Sequence, residues 1–248
     1  MKRFFAPEQT KVIFFDMNHT LIDPHQSFYD SFLDVLGEYT GRWSGDGEWT
    51  QQGIVERYWD EWRKKITQKR MNAVNRDKIR LACLKIALDP LPFTLNEAFL
   101  RTFLNRIKDK QTRTPTLVPG ARDTLEQLAA TYKLAIISNG NKEKVESQLH
   151  ILELSSLIPN ERVFATLKGG VRKPNPALFK QALQGVGIAP SQGVMVGNSW
   201  KNDVLGAVGA GLDAVWLHPG HSKKSSQRKL RNRKVIIVRK IDILLNVF

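Results

Sequence analysis

Polar side chains stand at the ends of several apolar runs in this chain. Lys11-Val12-Ile13-Phe14-Phe15 stops at Asp16, and Leu134-Ala135-Ile136-Ile137 stops at Ser138-Asn139-Gly140. Gly193-Val194-Met195-Val196 stops at Gly197-Asn198-Ser199 with Asp203 close behind, and Ala214-Val215-Trp216-Leu217 stops at His218-Pro219-Gly220. Taken singly, such residues have ordinary roles, because Asp caps turns and Ser caps helices. Recurring at successive strand-length runs they mean more, since open parallel sheets bind ligands beyond the carboxyl ends of their strands. Carboxylates, amides and a hydroxyl gathered there describe a site for a polar ligand.

The elements that would gather them can be read from the same pattern. Short continuous apolar runs suit strands buried on both faces. Helical patterns at 121–132, 142–152 and 176–186 alternate with them, which predicts a Rossmann-like α/β core with a parallel sheet between two helical layers. Residues 235–238 add a further strand and 241–248 a closing helix. Residues 24–111 differ, with helical patterns at 27–39, 49–70, 77–88 and 96–110 and no convincing strand. Val55, Trp59, Trp62 and Ile66 form one apolar stripe at helical spacing, and Trp43 and Trp49 fall in the same segment. Such a stripe reads as core. The expected organisation is therefore a core domain from 1–23 and 112–248, with an inserted all-helical cap domain at 24–111. Thr114-Pro115 and Pro119-Gly120 favour extended or turn backbone at the second linker.

Composition narrows the class. Hydrophobic residues make up 42% and charged residues 25% of 248, the balance of a soluble globular protein. No apolar stretch approaches the roughly 20 residues of a membrane helix, and no secretory signal opens the chain. A single cysteine, Cys83, excludes an internal disulfide, and no Cys/His cluster has metal-site spacing. A cytoplasmic protein is expected, with no membrane partner. The formal net charge is +14, a field that attracts anions. Much of it lies in Lys223, Lys224, Arg228, Lys229, Arg231, Arg233 and Lys234, a short stretch without an aromatic residue for base stacking. It reads as a solvated peripheral loop and specifies no nucleic-acid partner.

Four segments together resemble the signatures of the haloacid dehalogenase superfamily. Asp16-Met17-Asn18-His19-Thr20 is similar to its Asp-x-Asp-x-Thr opening, and Ser138-Asn139-Gly140 to its second signature. Lys173-Pro174-Asn175-Pro176 resembles the third, and Gly197-Asn198-Ser199-Trp200-Lys201-Asn202-Asp203 the fourth, commonly Gly-Asp-Ser-x-x-x-Asp. They stand in the family's order, with the helical insert at the family's cap position. The resemblance implies a hydrolase, in particular a phosphatase acting on a small phosphorylated metabolite through an aspartyl intermediate. It makes Asp16 the nucleophile and gives Asp16, Asn18, Asn198 and Asp203 to a Mg²⁺ ion, a hard cation that takes oxygen ligands. Ser138, Asn139 and Lys173 would hold the phosphoryl group, Lys173 also opposing the charge on Asp16.

The sequence departs from that family at two positions. Asn18 stands where an Asp normally protonates the leaving group, and an amide cannot exchange protons near neutral pH. Asn198 replaces a carboxylate at the metal, which removes one negative charge and weakens the expected affinity. Metal-free 2-haloacid dehalogenases lack the acid too, but they carry Tyr at the position of Asn18 and a Ser-Ser-Asn pattern in the fourth signature, and neither is present. The competing reading is a non-catalytic relative that binds a phosphorylated ligand or partner.

Overall fold

In the run Val12–Phe15, Ile13 and Phe15 pack into one buried cluster while Val12 and Phe14 pack into another. That period-two division is what a strand with a core on each face requires. The computed structural model describes residues 4–41, 49–66, 73–167 and 169–248. Its chain divides into two compact units, residues His25–Thr114 and the chain on either side of them.

The first unit is a seven-stranded sheet. Its strands are β1 (Val12–Phe15), β2 (Lys133–Asn141), β3 (Val163–Thr166), β4 (Gly193–Gly197), β5 (Asp213–Leu217), β6 (Ser225–Leu230) and β7 (Arg233–Val238). They lie in the order β3-β2-β1-β4-β5-β7-β6, and only β6 runs antiparallel to its neighbour. Strand β1 is therefore central. Its register sets Phe15 beside Ile136 of β2 and Val196 of β4, so the residues that follow these strands leave the sheet at neighbouring points. One face is covered through Leu125, Leu128, Val145, Leu149 and Phe248, and the other through Leu178, Phe179, Ala182 and Ala207.

Two expectations for this unit are revised. The basic stretch is no loop: Ser225–Leu230 is an edge strand paired with β7 through a turn at Arg231 and Asn232, both at positive φ. Lysine and arginine on an outermost strand oppose edge-to-edge pairing with other chains. The chain also closes with a short 3₁₀ segment, Ile241–Asn246, rather than a longer helix.

The second unit is helical, built from Pro24–Thr40 (α1), Gln51–Ile66 (α2), Ala73–Leu88 (α3) and Glu97–Arg113 (α4). Phe32, Leu36, Val55, Tyr58, Cys83, Leu84, Phe103 and Ile107 are among its fully packed residues. In α2 the buried side chains are Ile54, Val55 and Tyr58, while Trp59 and Trp62 pack at the margin and Ile66 is exposed. The apolar stripe read from the sequence thus packs at Val55, Trp59 and Trp62 but not at Ile66, with Ile54 and Tyr58 buried beside it. Asn96 starts α4 by accepting from the Phe99 amide at 2.9 Å, a cap that satisfies one otherwise unpaired N–H. Trp43 and residues 67–70 of the expected second helix lie outside the described residues.

Candidate active site

The loop after β1 places Asp16 first. Its amide continues the ladder by donating to the Val196 carbonyl at 2.9 Å. The amides of Thr20, Leu21 and Ile22 then all donate to Met17, and the His19 amide donates to Ile22. This closure turns the chain sharply and holds His19 at φ 61°, a left-handed conformation uncommon for any residue with a side chain.

Lys173 is the centre of the arrangement. Its Nζ donates to Asp16 Oδ1 at 2.6 Å, to Asp203 Oδ1 at 2.7 Å and to the Ile137 carbonyl at 2.7 Å. An ammonium has three N–H donors, and all of them are engaged. The side chain is buried, and a buried cation is tolerable only when paired and hydrogen-bonded. Charge-assisted bonds of this length are the strong kind.

Asp203 is held from both sides. Its Oδ1 meets Lys173, and its Oδ2 accepts from the Ser199 amide at 2.8 Å. Ser199 Oγ in turn accepts from the Asn202 amide at 3.1 Å, a reciprocal cap of the π-helical turn Trp200–Leu205. Burial pushes the Asp203 carboxyl above the ordinary carboxylate range, and nearby Asp16 adds to the rise while Lys173 opposes it. Gly197 is required here, because a Cβ at that position would stand 2.3 Å from the Asp203 carboxyl.

Asn139 joins the ends of two signatures. Its Oδ1 accepts from the Lys173 amide at 2.6 Å, and its Nδ2 donates to the Lys173 carbonyl at 3.1 Å. The side chain assigned to a phosphoryl group by sequence is thus engaged in fixing the peptide of Lys173. Ser138 is buried, and its Oγ accepts from the Gly140 amide at 3.1 Å. After Lys173, Asn175 caps the helix Pro176–Val186 by accepting from the Ala177 amide at 2.9 Å.

Asp16, Asn18, Ser138, Asn139, Lys173, Asn198 and Asp203 all line one cleft of about 490 Å³ in the first unit. Asn18 is exposed, and the Asn198 carbonyl is held by the Trp216 indole N–H at 2.9 Å. The cleft also includes His19 and Arg172, whose place the sequence reading did not find. The only signal for Arg172 was its position next to Lys173. Among the described residues no cluster of three or more His, Cys, Asp or Glu side chains could hold a metal. The oxygens of Asp16, Asn18, Asn198 and Asp203 are the donors available in the cleft.

The chain is similar to known hydrolases. The family model described as haloacid dehalogenase-like hydrolase matches residues 10–211. A glyceraldehyde 3-phosphate phosphatase of Pyrococcus furiosus is 38% identical over 104 residues, which span 42% of this chain and 42% of that protein. The pyrimidine 5'-nucleotidase YjjG of Escherichia coli is 27% identical across 86% of this chain and 88% of its own. The magnesium-bound HAD-hydrolase YfnB of Bacillus subtilis shares the fold, with a TM-score of 0.60 and 18% identity over 96% of this chain and 98% of that one.

Proposed function

The chain belongs to the haloacid dehalogenase-like hydrolases, and from that premise we propose that it is a phosphatase whose nucleophile is Asp16. The observation that carries this reading is the Lys173 ammonium bonded to both Asp16 and Asp203 within one cleft. With Oδ1 held by Lys173, attack falls to Oδ2, which forms a bond to phosphorus as the ester P–O bond breaks. The departing oxygen keeps the electron pair. Water then attacks the phosphorus of the aspartyl phosphate, and inorganic phosphate leaves with Asp16 restored. Ser138 and the amides beyond it would bind phosphoryl oxygens, and Asn139 and Asp203 would keep Lys173 in place.

The donor set in the cleft is all oxygen, which fits Mg²⁺. Asp16, the Asn18 carbonyl and Asn198 would hold it, with Asp203 acting through water because both its oxygens are engaged. When bound, the ion would supply positive charge to the phosphoryl oxygens as bond order shifts. Few net negative charges face that ion, so its affinity is expected to be low.

The substrate class is a small phosphorylated metabolite, in keeping with relatives named for glyceraldehyde 3-phosphate and pyrimidine nucleotides. The helical unit His25–Thr114, inserted in the chain between β1 and β2, is assigned the role of a cap that excludes water and selects substrate. Hydrolysis of p-nitrophenyl phosphate by the wild type, dependent on added Mg²⁺ and abolished in Asp16→Ala, tests the reading. Unchanged activity in Asp16→Ala overturns it. One observation favours a second reading, a ligand-binding relative without turnover: Asn18 and Asn198 stand where the family carries carboxylates. A wild type that binds phosphate esters and hydrolyses none would establish it.

A further inference from the structure

Lys173, the cation deepest in the cleft, has no N–H left for a ligand, since all three donate within the protein. The other fixed positive charge lining the cleft is Arg172. Its guanidinium donates once, from one terminal nitrogen to the Asn139 carbonyl at 3.1 Å. Asn139 is itself locked to the Lys173 peptide by two hydrogen bonds, so the tether is anchored to the catalytic loops. Among the described residues Arg172 forms no ion pair, whereas Arg63, Arg101, Arg106 and Arg122 each do. An arginine has five N–H donors in a planar fork. Here most of them remain for a ligand, on an exposed side chain tethered by that bond.

We infer that Arg172 receives a second acidic group of the substrate, a carboxylate on the part that is not transferred. This rests on the phosphatase reading and names its substrate class: a phosphate monoester with an acidic tail. Depth separates the two anions. Ser138, Lys173 and Asp203 are buried, while Arg172 is exposed, so it stands at the rim where the leaving portion of an ester held at Asp16 would project. A carboxylate matches the guanidinium fork in two parallel hydrogen bonds, which a hydroxyl cannot do. Charge agrees as well. Asp16 and Asp203 are both paired with Lys173, so Arg172 is the cation lining the cleft that has no carboxylate partner among the described residues and can pair with a second substrate anion.

The test uses two esters that differ only in the tail, 3-phosphoglycerate and glycerol 3-phosphate. The wild type is expected to favour 3-phosphoglycerate in kcat/KM. Arg172→Gln should lower that preference about 10-fold or more, in line with a lost charge-assisted pair, with the change carried mainly by KM. Arg172→Lys should recover only part, because a point charge replaces a fork. Equal losses on both esters would overturn the tail assignment and give Arg172 to the phosphoryl group instead. No loss on either would remove Arg172 from binding altogether. If the wild type turns over neither of these alkyl esters, the phosphatase reading is decided separately by p-nitrophenyl phosphate. Calorimetric titration of the full chain with each ester then still reads the preference: tighter binding of 3-phosphoglycerate, lost in Arg172→Gln, upholds the inference, and equal affinities overturn it.

Discussion

Lys173 and Asn18 pull the site's chemistry in opposite directions. Lys173 pairs with two carboxylates at once, and removing it leaves both without their cation in a largely desolvated place. Lys173→Met should therefore lose stability by about 3–5 kcal/mol, the range for breaking a buried ion pair, read from urea unfolding. Adding Asp203→Asn should recover part of that loss, and a double variant no more stable than the single one would argue against the pairing. In the phosphatase reading, Asn18 stands where the family's acid would serve the leaving group. An amide gives no proton, so aryl and acyl phosphates, which need none, should turn over better than alkyl esters. Asn18→Asp should raise alkyl-ester turnover about 10-fold or more, within the range of general acid catalysis, and should change aryl phosphates less. The places of Asp16, Ser138, Lys173 and Asp203 in the cleft were legible in the sequence because each stands shortly after an apolar run or just ahead of a helix. The partners of Asn139 were not, since its side chain closes on a peptide 34 residues away. Nor was Arg172, which carries no pattern of its own.

At the scale of elements, what was legible follows from burial. Strands β1, β4, β5 and the apolar part of β2 are continuous hydrophobic runs because they are covered on both faces. Strand β3 is four residues with two half-buried positions, too short for periodicity to mark. Strand β6 reads Ser-Ser-Gln-Arg-Lys-Leu and becomes a strand only by pairing with β7, an outcome of tertiary context that no local propensity encodes. In the helical unit, Cys83 sits on α3 inside the apolar cluster. Burial pushes its thiol up to about 11 from an ordinary 9.0. The native state then keeps a proton that the unfolded chain releases. The stability it contributes is fully present below pH 9 and is lost as pH rises through about 11. Urea midpoints over that window should fall more steeply for the wild type than for Cys83→Ala. Parallel slopes would show that the thiol does not report on folding of this unit.

For the whole molecule, a hydrolase core carries a helical insertion and a net charge of +14, and no helix among the described residues is long and apolar enough to cross a membrane. The exposed cations of the β6–β7 hairpin attract any polyanion, yet the hairpin has no aromatic residue on which bases could stack. Binding to duplex DNA should be weak, indifferent to sequence and steeply reduced by salt. Nanomolar affinity for one defined sequence at physiological salt would contradict this. The most direct test of the phosphatase reading is a rapid acid quench of the enzyme turning over p-nitrophenyl phosphate with Mg²⁺, followed by peptide mass spectrometry. The expected result is a single phosphoryl group on the peptide that contains Asp16, in the wild type and not in Asp16→Ala. Sustained turnover with the phosphoryl group on another residue, or undiminished turnover by Asp16→Ala, would contradict it.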